Sequence, residues 1–312
     1  MSYRSHLPQL DGGVFLTDGG LETTLIFHER LDLPEFAAFP LLRDDAGTAA
    51  LRRYFERYAT LARDHGAGFV LESPTWRANP RWAERLGYSP EELDALNRRA
   101  IELMAELRDE YAGDSTPIVI SGCIGPHDDG YDPSVILTPD AAQEYHSVQI
   151  ATFADTDADM VTAITMTYAG EAIGVVRAAA AAGMPAVISF TLETDGRLPS
   201  GQELGDAIAE TDAATGSGPA YYMINCAHPT HFEHVLGDEP WRERLRGLRA
   251  NASTMSHAEL DEAEELDDGD PEDLAARYAG LAGKLPSLNV LGGCCGTDHR
   301  HVTSVCELWP RS

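Results

Sequence analysis

"LNVLGGCCGTDHRH", residues 288–301, reads as a short apolar strand, a turn between glycines and the first residues of a helix. An apolar run that breaks at glycine and re-enters as a helix is one β-α unit. The same unit recurs upstream. Its strands are "VFL" (14–16), "GFVLE" (68–72), "IVISG" (118–122), "MVTAIT" (160–165), "AVISFT" (186–191), "YYMIN" (221–225), "LRAN" (248–251) and "LNVLGG" (288–293). These strands are short, apolar on both faces and rich in Val and Ile, as buried parallel strands are.

Helical patterns fill the intervals. Leu51, Tyr54, Phe55, Tyr58, Leu61 and Ala62 recur at three- and four-residue steps. Ser89, Pro90 and Glu92 form a capping box for a helix whose face is Leu93, Leu96, Ala100, Leu103, Met104 and Leu107 and whose stop is Gly113. Further helices are expected from Thr138-Pro139 to about 156, up to Gly183, near 202–214, around 230–236, near 271–283 and from about Asp298. Eight β-α units in 312 residues predict a (β/α)8 TIM barrel in one domain, 1–312. A doubly wound open sheet would want a G-x-G-x-x-G loop after its first strand, and "TDGGLETT" lacks that spacing.

Asp and Glu number 51 against 23 Lys and Arg, and Lys284 is the only lysine. A net charge of −28 repels nucleic acid and anionic membrane, so neither is expected as a partner. The acidic run "ELDEAEELDDGDPEDL" (259–274) reads as a solvated loop and helix start. "MSYRSHLPQLDGG" has no apolar core of a signal peptide, and no stretch of ~18 apolar residues is present. Five cysteines in a chain this long argue against a disulfide framework. The expected compartment is the cytoplasm.

Barrel chemistry sits at the C-terminal ends of the strands. The residues there are Asp18-Gly19-Gly20, Glu72, Gly122-Cys123, Thr165, Thr191, Asn225-Cys226, Asn251 and Cys294-Cys295. Strands six and eight are separated by one neighbour, so Cys226, Cys294 and Cys295 can converge over the barrel mouth. Three thiolates suit zinc and leave a fourth position for water or substrate. A buried cysteine also serves as a small hydrophobe, and from the residues alone both readings stand.

"TDGG" (17–20), "PAVISFT" (185–191), "MINC" (223–226) and "NVLGGCCGTDHRHV" (289–302) together resemble the homocysteine S-methyltransferase family. The resemblance implies a (β/α)8 barrel with Cys226, Cys294 and Cys295 as Zn2+ ligands. It implies methyl transfer from an onium donor such as S-methylmethionine, S-adenosylmethionine or betaine to homocysteine, giving methionine. It also implies that Asp18 faces the substrate ammonium, that backbone N–H groups near Gly19 and Gly20 face its carboxylate, and that Asn225 positions the zinc site. Asp18 otherwise reads as a turn-former and Asn225 as a strand-end cap.

The pattern breaks at strand four. Family members carry a glutamate for the ammonium where this chain has Ile164, followed by Thr165. Glu22 or Glu72 is expected to supply the missing charge; the alternative is an acceptor other than homocysteine, or a structural or redox zinc-cysteine site without methyl transfer. "ESPTWRAN" (72–79) also departs from the family, bringing Trp76, a candidate cation–π contact for the donor, and Arg77. His228, His231 and His234 fit one face of a short surface helix, Cys123 could line the pocket, and Cys306 reads as core. The oligomeric state is not encoded in any of these motifs.

Overall fold

The computed structural model describes residues 2–113, 116–131, 133–263 and 265–310. Eight strands, β1 (Phe15–Leu16), β2 (Gly68–Glu72), β3 (Ile118–Ile124), β4 (Met160–Met166), β5 (Ala186–Thr191), β6 (Tyr221–Asn225), β7 (Leu245–Ala250) and β8 (Val290–Gly293), close in sequence order. Every pairing is parallel, and β1 pairs with both β2 and β8. The predicted (β/α)8 barrel is thus observed, and closure rules out the open doubly wound sheet.

Five strands differ from expectation at a boundary, β1 and β4 by one residue and β3, β7 and β8 by two or three. β3 runs on to Ile124, so Cys123 lies within it. β7 begins at Leu245, three residues before the "LRAN" that marked it, because Arg246 and Gly247 interrupt the pattern. The helices match where caps announced them. Ser89 and Glu92 form the reciprocal capping box of Pro90–Tyr111, and the Thr138 side chain caps Pro139–Ala154. The helix Asp45–Asp64 starts earlier than its apolar stripe, with the Asp44 carboxylate accepting from Gly47 N at 2.8 Å. Within the acidic run, Ser256 and Glu259 box a short helix, His257–Asp261, where sequence reading gave only a loop; Glu264 of that run lies outside the described residues.

Strand side chains alternate between lumen and exterior. The lower lumen is apolar: Phe15, Val70, Val119, Met160, Val187, Met223 and Val290 pack together, with Leu7 closing the bottom. Two residues further along, the same strands turn polar. Ser121 Oγ meets Thr162 Oγ1 at 2.7 Å, Ser189 Oγ donates to Asn225 Oδ1 at 2.6 Å, and Arg249 enters from β7. The floor of the mouth is therefore a hydrogen-bonded polar layer resting on an apolar plug.

The helix Pro271–Leu281 secures the β7–β8 edge through Tyr278. Its hydroxyl donates to Gly292 O at 2.7 Å and accepts from Ala250 N at 2.9 Å, fully buried. Tyr278→Phe leaves the Ala250 N–H unpaired. It should lower the unfolding free energy by about 1–3 kcal/mol in urea titration; an unchanged midpoint would mean that the strand edge does not depend on this bond.

Candidate active site

Cys226 follows β6, and Cys294 and Cys295 follow β8. Their Sγ atoms lie within 4.8 Å of one another, the one group of three or more potential metal ligands among the described residues. Cys226 and Cys294 are in sulfur contact with Cα atoms 5.4 Å apart. The donor set fits a soft, thiophilic ion such as zinc.

One buried amide sets this geometry. Asn225 Nδ2 donates to Cys226 Sγ at 3.1 Å and to Thr165 Oγ1 at 3.0 Å, while its Oδ1 accepts from Thr165 N at 2.9 Å and from Ser189 Oγ. Cys226 (φ 54°) and Thr165 (φ 62°) both adopt the left-handed backbone that non-glycine residues avoid. Such strain persists where surrounding contacts impose it. The Cys226 carbonyl accepts from Asn251 Nδ2 and His257 Nε2.

The first-strand loop packs directly on the cysteine loop. Gly293 N donates to Asp18 O at 2.9 Å, and Gly20 N to Thr297 O at 3.0 Å. A Cβ on Gly20 would stand 2.6 Å from Cys294 O. Close approach explains that glycine. The Gly20 N–H is itself engaged with Thr297 O, within the group of N–H donors near Gly19 and Gly20 that the resemblance implied for the substrate carboxylate.

Asp18, Gly19, Gly20, Glu22, Glu72 and the three cysteines all line one inner pocket. Ile164, Thr165 and Cys123 complete its wall, and Asn225 lies beneath it, fully buried. An outer chamber shares Phe36, Trp76, Tyr131 and Cys295 with the inner pocket. The acidic run contributes Asp261, Glu265 and Asp267 to this chamber, so part of it covers the mouth. Arg77 lines the chamber as well; its guanidinium sits 4.8 Å from the Trp76 ring centre and 3.8 Å from that of Trp82.

The residue that sequence reading missed is Arg249. It donates to Glu72 Oε2 at 2.5 Å and lies 2.8 Å from Asp18 Oδ1. The sign was available: an arginine at a lumen-facing register of a strand, in "LRAN". Burial pushes the Asp18 and Glu72 carboxyls above their ordinary range, and the Arg249 charge pulls each back. Burial opposes the Arg249 charge, and Asp18 and Glu72 more than offset it.

The histidines stand apart from the metal-competent group. His228 caps Pro229–Phe232 and contacts Thr230, buried His231 reaches Thr254 O, and His234 lies beyond the helix. That helix is shorter than expected and half sunk in the protein. Cys306 is buried in His299–Leu308 as core.

Burial pushes the Glu22 carboxyl up from 4.5 to about 7, its own backbone N–H opposing and the Asp18 charge adding to the rise. A carboxyl raised on folding favours the folded state at acid pH; the contribution is full below about 4.5 and is lost as pH rises through about 7. Glu22→Gln should match the wild type at the acid end and gain on it towards alkaline pH, by up to roughly 3 kcal/mol in urea denaturation. A gap that does not change with pH would show that Glu22 titrates normally.

The homocysteine S-methyltransferase family model matches residues 15–309. The selenocysteine Se-methyltransferase of Brassica oleracea var. italica is 23% identical over 247 residues, which is 72% of this chain and 68% of the relative. Among solved structures, the homocysteine methyltransferase MmuM from Escherichia coli in its oxidised form superposes with a TM-score of 0.74 at 20% identity, covering 95% of this chain and 96% of that one. Its metallated form gives 0.73 at 18% identity, covering 96% and 98%. With a family match spanning nearly the whole barrel, the chain belongs to the homocysteine S-methyltransferase family and is a methyltransferase.

Proposed function

We propose that this protein is a cytoplasmic zinc-dependent S-methyltransferase that moves a methyl group from an onium donor to L-homocysteine, giving methionine. The observation that carries the reading is the convergence of three cysteine sulfurs on a pocket that opens into a second chamber. A relative named for methylating selenocysteine supports a soft chalcogen acceptor. S-Methylmethionine, S-adenosylmethionine and betaine are the candidate donors.

Cys226, Cys294 and Cys295 would hold the ion. When bound, zinc supplies Lewis acidity that makes a substrate thiol ionise at neutral pH. The chain's own residues do the rest. The Asn225 amide donates to Cys226 Sγ and fixes the direction of that ligand. Asp18, Glu72 and, once ionised, Glu22 provide negative charge for the acceptor ammonium. The outer chamber, lined by Phe36 and Tyr131 and by Asp261 and Glu265, suits a cationic donor. Trp76 shares that wall, with Arg77 already over its ring.

The acceptor sulfur attacks the donor's methyl carbon in line. A sulfur–carbon bond forms as the donor's onium–carbon bond breaks, and the electron pair leaves with the donor heteroatom, which departs neutral. The thiol proton goes to solvent. No general acid is needed, and among the described residues no histidine lines the inner pocket. Orientation and desolvation carry the rate. Ile164 in the pocket wall favours, as the second reading, the same chemistry on a different thiol.

Two measurements test this. Reduced protein should take up one zinc per chain by elemental analysis, and Cys294→Ser should cut the affinity by more than about tenfold; undiminished binding in the variant would remove the centre. Zinc-loaded protein should convert L-homocysteine to methionine with one of the three donors, followed by mass spectrometry. A folded, zinc-replete enzyme making no methionine with any of them would exclude homocysteine as acceptor for these donors.

A further inference from the structure

Arg249 is 5% exposed and spends its guanidinium on the strand ends around it. Nε donates to Gly293 O at 3.0 Å, Nη2 to Gly19 O at 3.2 Å, Nη1 to Glu72, and Nη2 faces Asp18. One side chain from β7 thereby ties the ends of β1, β2 and β8. Asp18 and Glu72 are 4% exposed, and Glu72 Oε1 is buried without any hydrogen-bond partner. Asp18 Oδ1 has only its ion pair to Arg249. All three residues line the inner pocket, whose wall at Ile164 is apolar.

Two carboxylates this close to each other and this deeply buried would not both stay ionised without a cation. One guanidinium between them leaves a single net negative charge and one unpaired carboxylate oxygen. An unpaired buried acceptor is costly until a donor reaches it. A primary ammonium supplies both the charge and the donors.

We propose that Arg249 is the positioning residue for acceptor recognition: it clamps Asp18 and Glu72 into a singly negative cradle that takes one ammonium group, so the site prefers an aminothiol to a thiol lacking the amine. The inference rests on the thiol-acceptor reading above. It assigns to an arginine on β7, absent from that reading, the task of holding the charge that Ile164 cannot provide on β4. A lysine keeps the charge but not the forked geometry that grips two carboxylates at once.

The test compares L-homocysteine with 4-mercaptobutanoate, the same thiol without its amine. Binding is read by calorimetry on zinc-loaded protein, and KM and kcat with the donor that supports turnover. Wild type should prefer homocysteine on the order of 100-fold in both Kd and KM. Arg249→Lys should shrink that ratio to about tenfold and Arg249→Leu to near unity, with kcat for 4-mercaptobutanoate falling much less than affinity for homocysteine. A merely structural role would weaken both thiols alike and leave the ratio intact, which overturns the proposal, as does a wild type that binds both equally. If Arg249→Leu fails to fold, wild type and Arg249→Lys still decide. Absence of methyl transfer to either thiol would sink the functional reading, while the calorimetric ratio would still judge the cradle.

Discussion

Phe15 and Leu16 of β1 pair with Val290 and Leu291 of β8, joining the two ends of the chain into one wall of the barrel. Nearly everything at the mouth depends on that seam. Thr17 N donates to Leu291 O, Gly293 N to Asp18 O and Gly20 N to Thr297 O, so the acidic first loop and the cysteine loop are held as one body. Glycine at 20 and 292 is a steric consequence, since a Cβ at either would run into the opposing loop. A two-residue strand forms few ladder bonds, so the seam relies on loop-to-loop bonds as much as on sheet pairing.

The mouth concentrates groups that are costly to bury. Asp18, Glu72 and Arg249 are desolvated together, and such clusters are weak sources of stability because Coulomb attraction is spent against lost hydration. Thr165 and Cys226 add left-handed backbone beside them. The apolar plug below and the surrounding helices supply the stability that this layer consumes. A floor that is strained, charged and packed is organised before any substrate arrives, and fixed orientation is a large source of rate in methyl transfer.

Surface charge has a more specific place than its total suggests. The run 259–274 reads from its sequence as solvated acid, and several of its carboxylates do face water. Asp261, Glu265 and Asp267 are among the exposed ones, and they also line the chamber over the cysteines. The His257–Asp261 helix that sets part of this arrangement announces itself only by Ser256 and Glu259, a local signal inside a run whose composition drowns it.

Periodicity and punctuation alone determined the barrel. Buried parallel strands are written as short apolar runs, and helix starts as Ser89-Pro90 or Thr138-Pro139, because those patterns reflect interactions within a few residues. The three cysteines were legible for a related reason: strand ends in a barrel share one mouth, so ligand position follows from strand count. What the sequence left open were partnerships across the barrel. Whether Glu72 is free or bound to Arg249, 177 residues away, whether Gly20 N–H is available, and which way Asn225 points are set by which strand ends meet. Only closure decides that, because side-chain hydrogen bonds and ion pairs act over about 3 Å and carry no imprint on the local pattern of either partner.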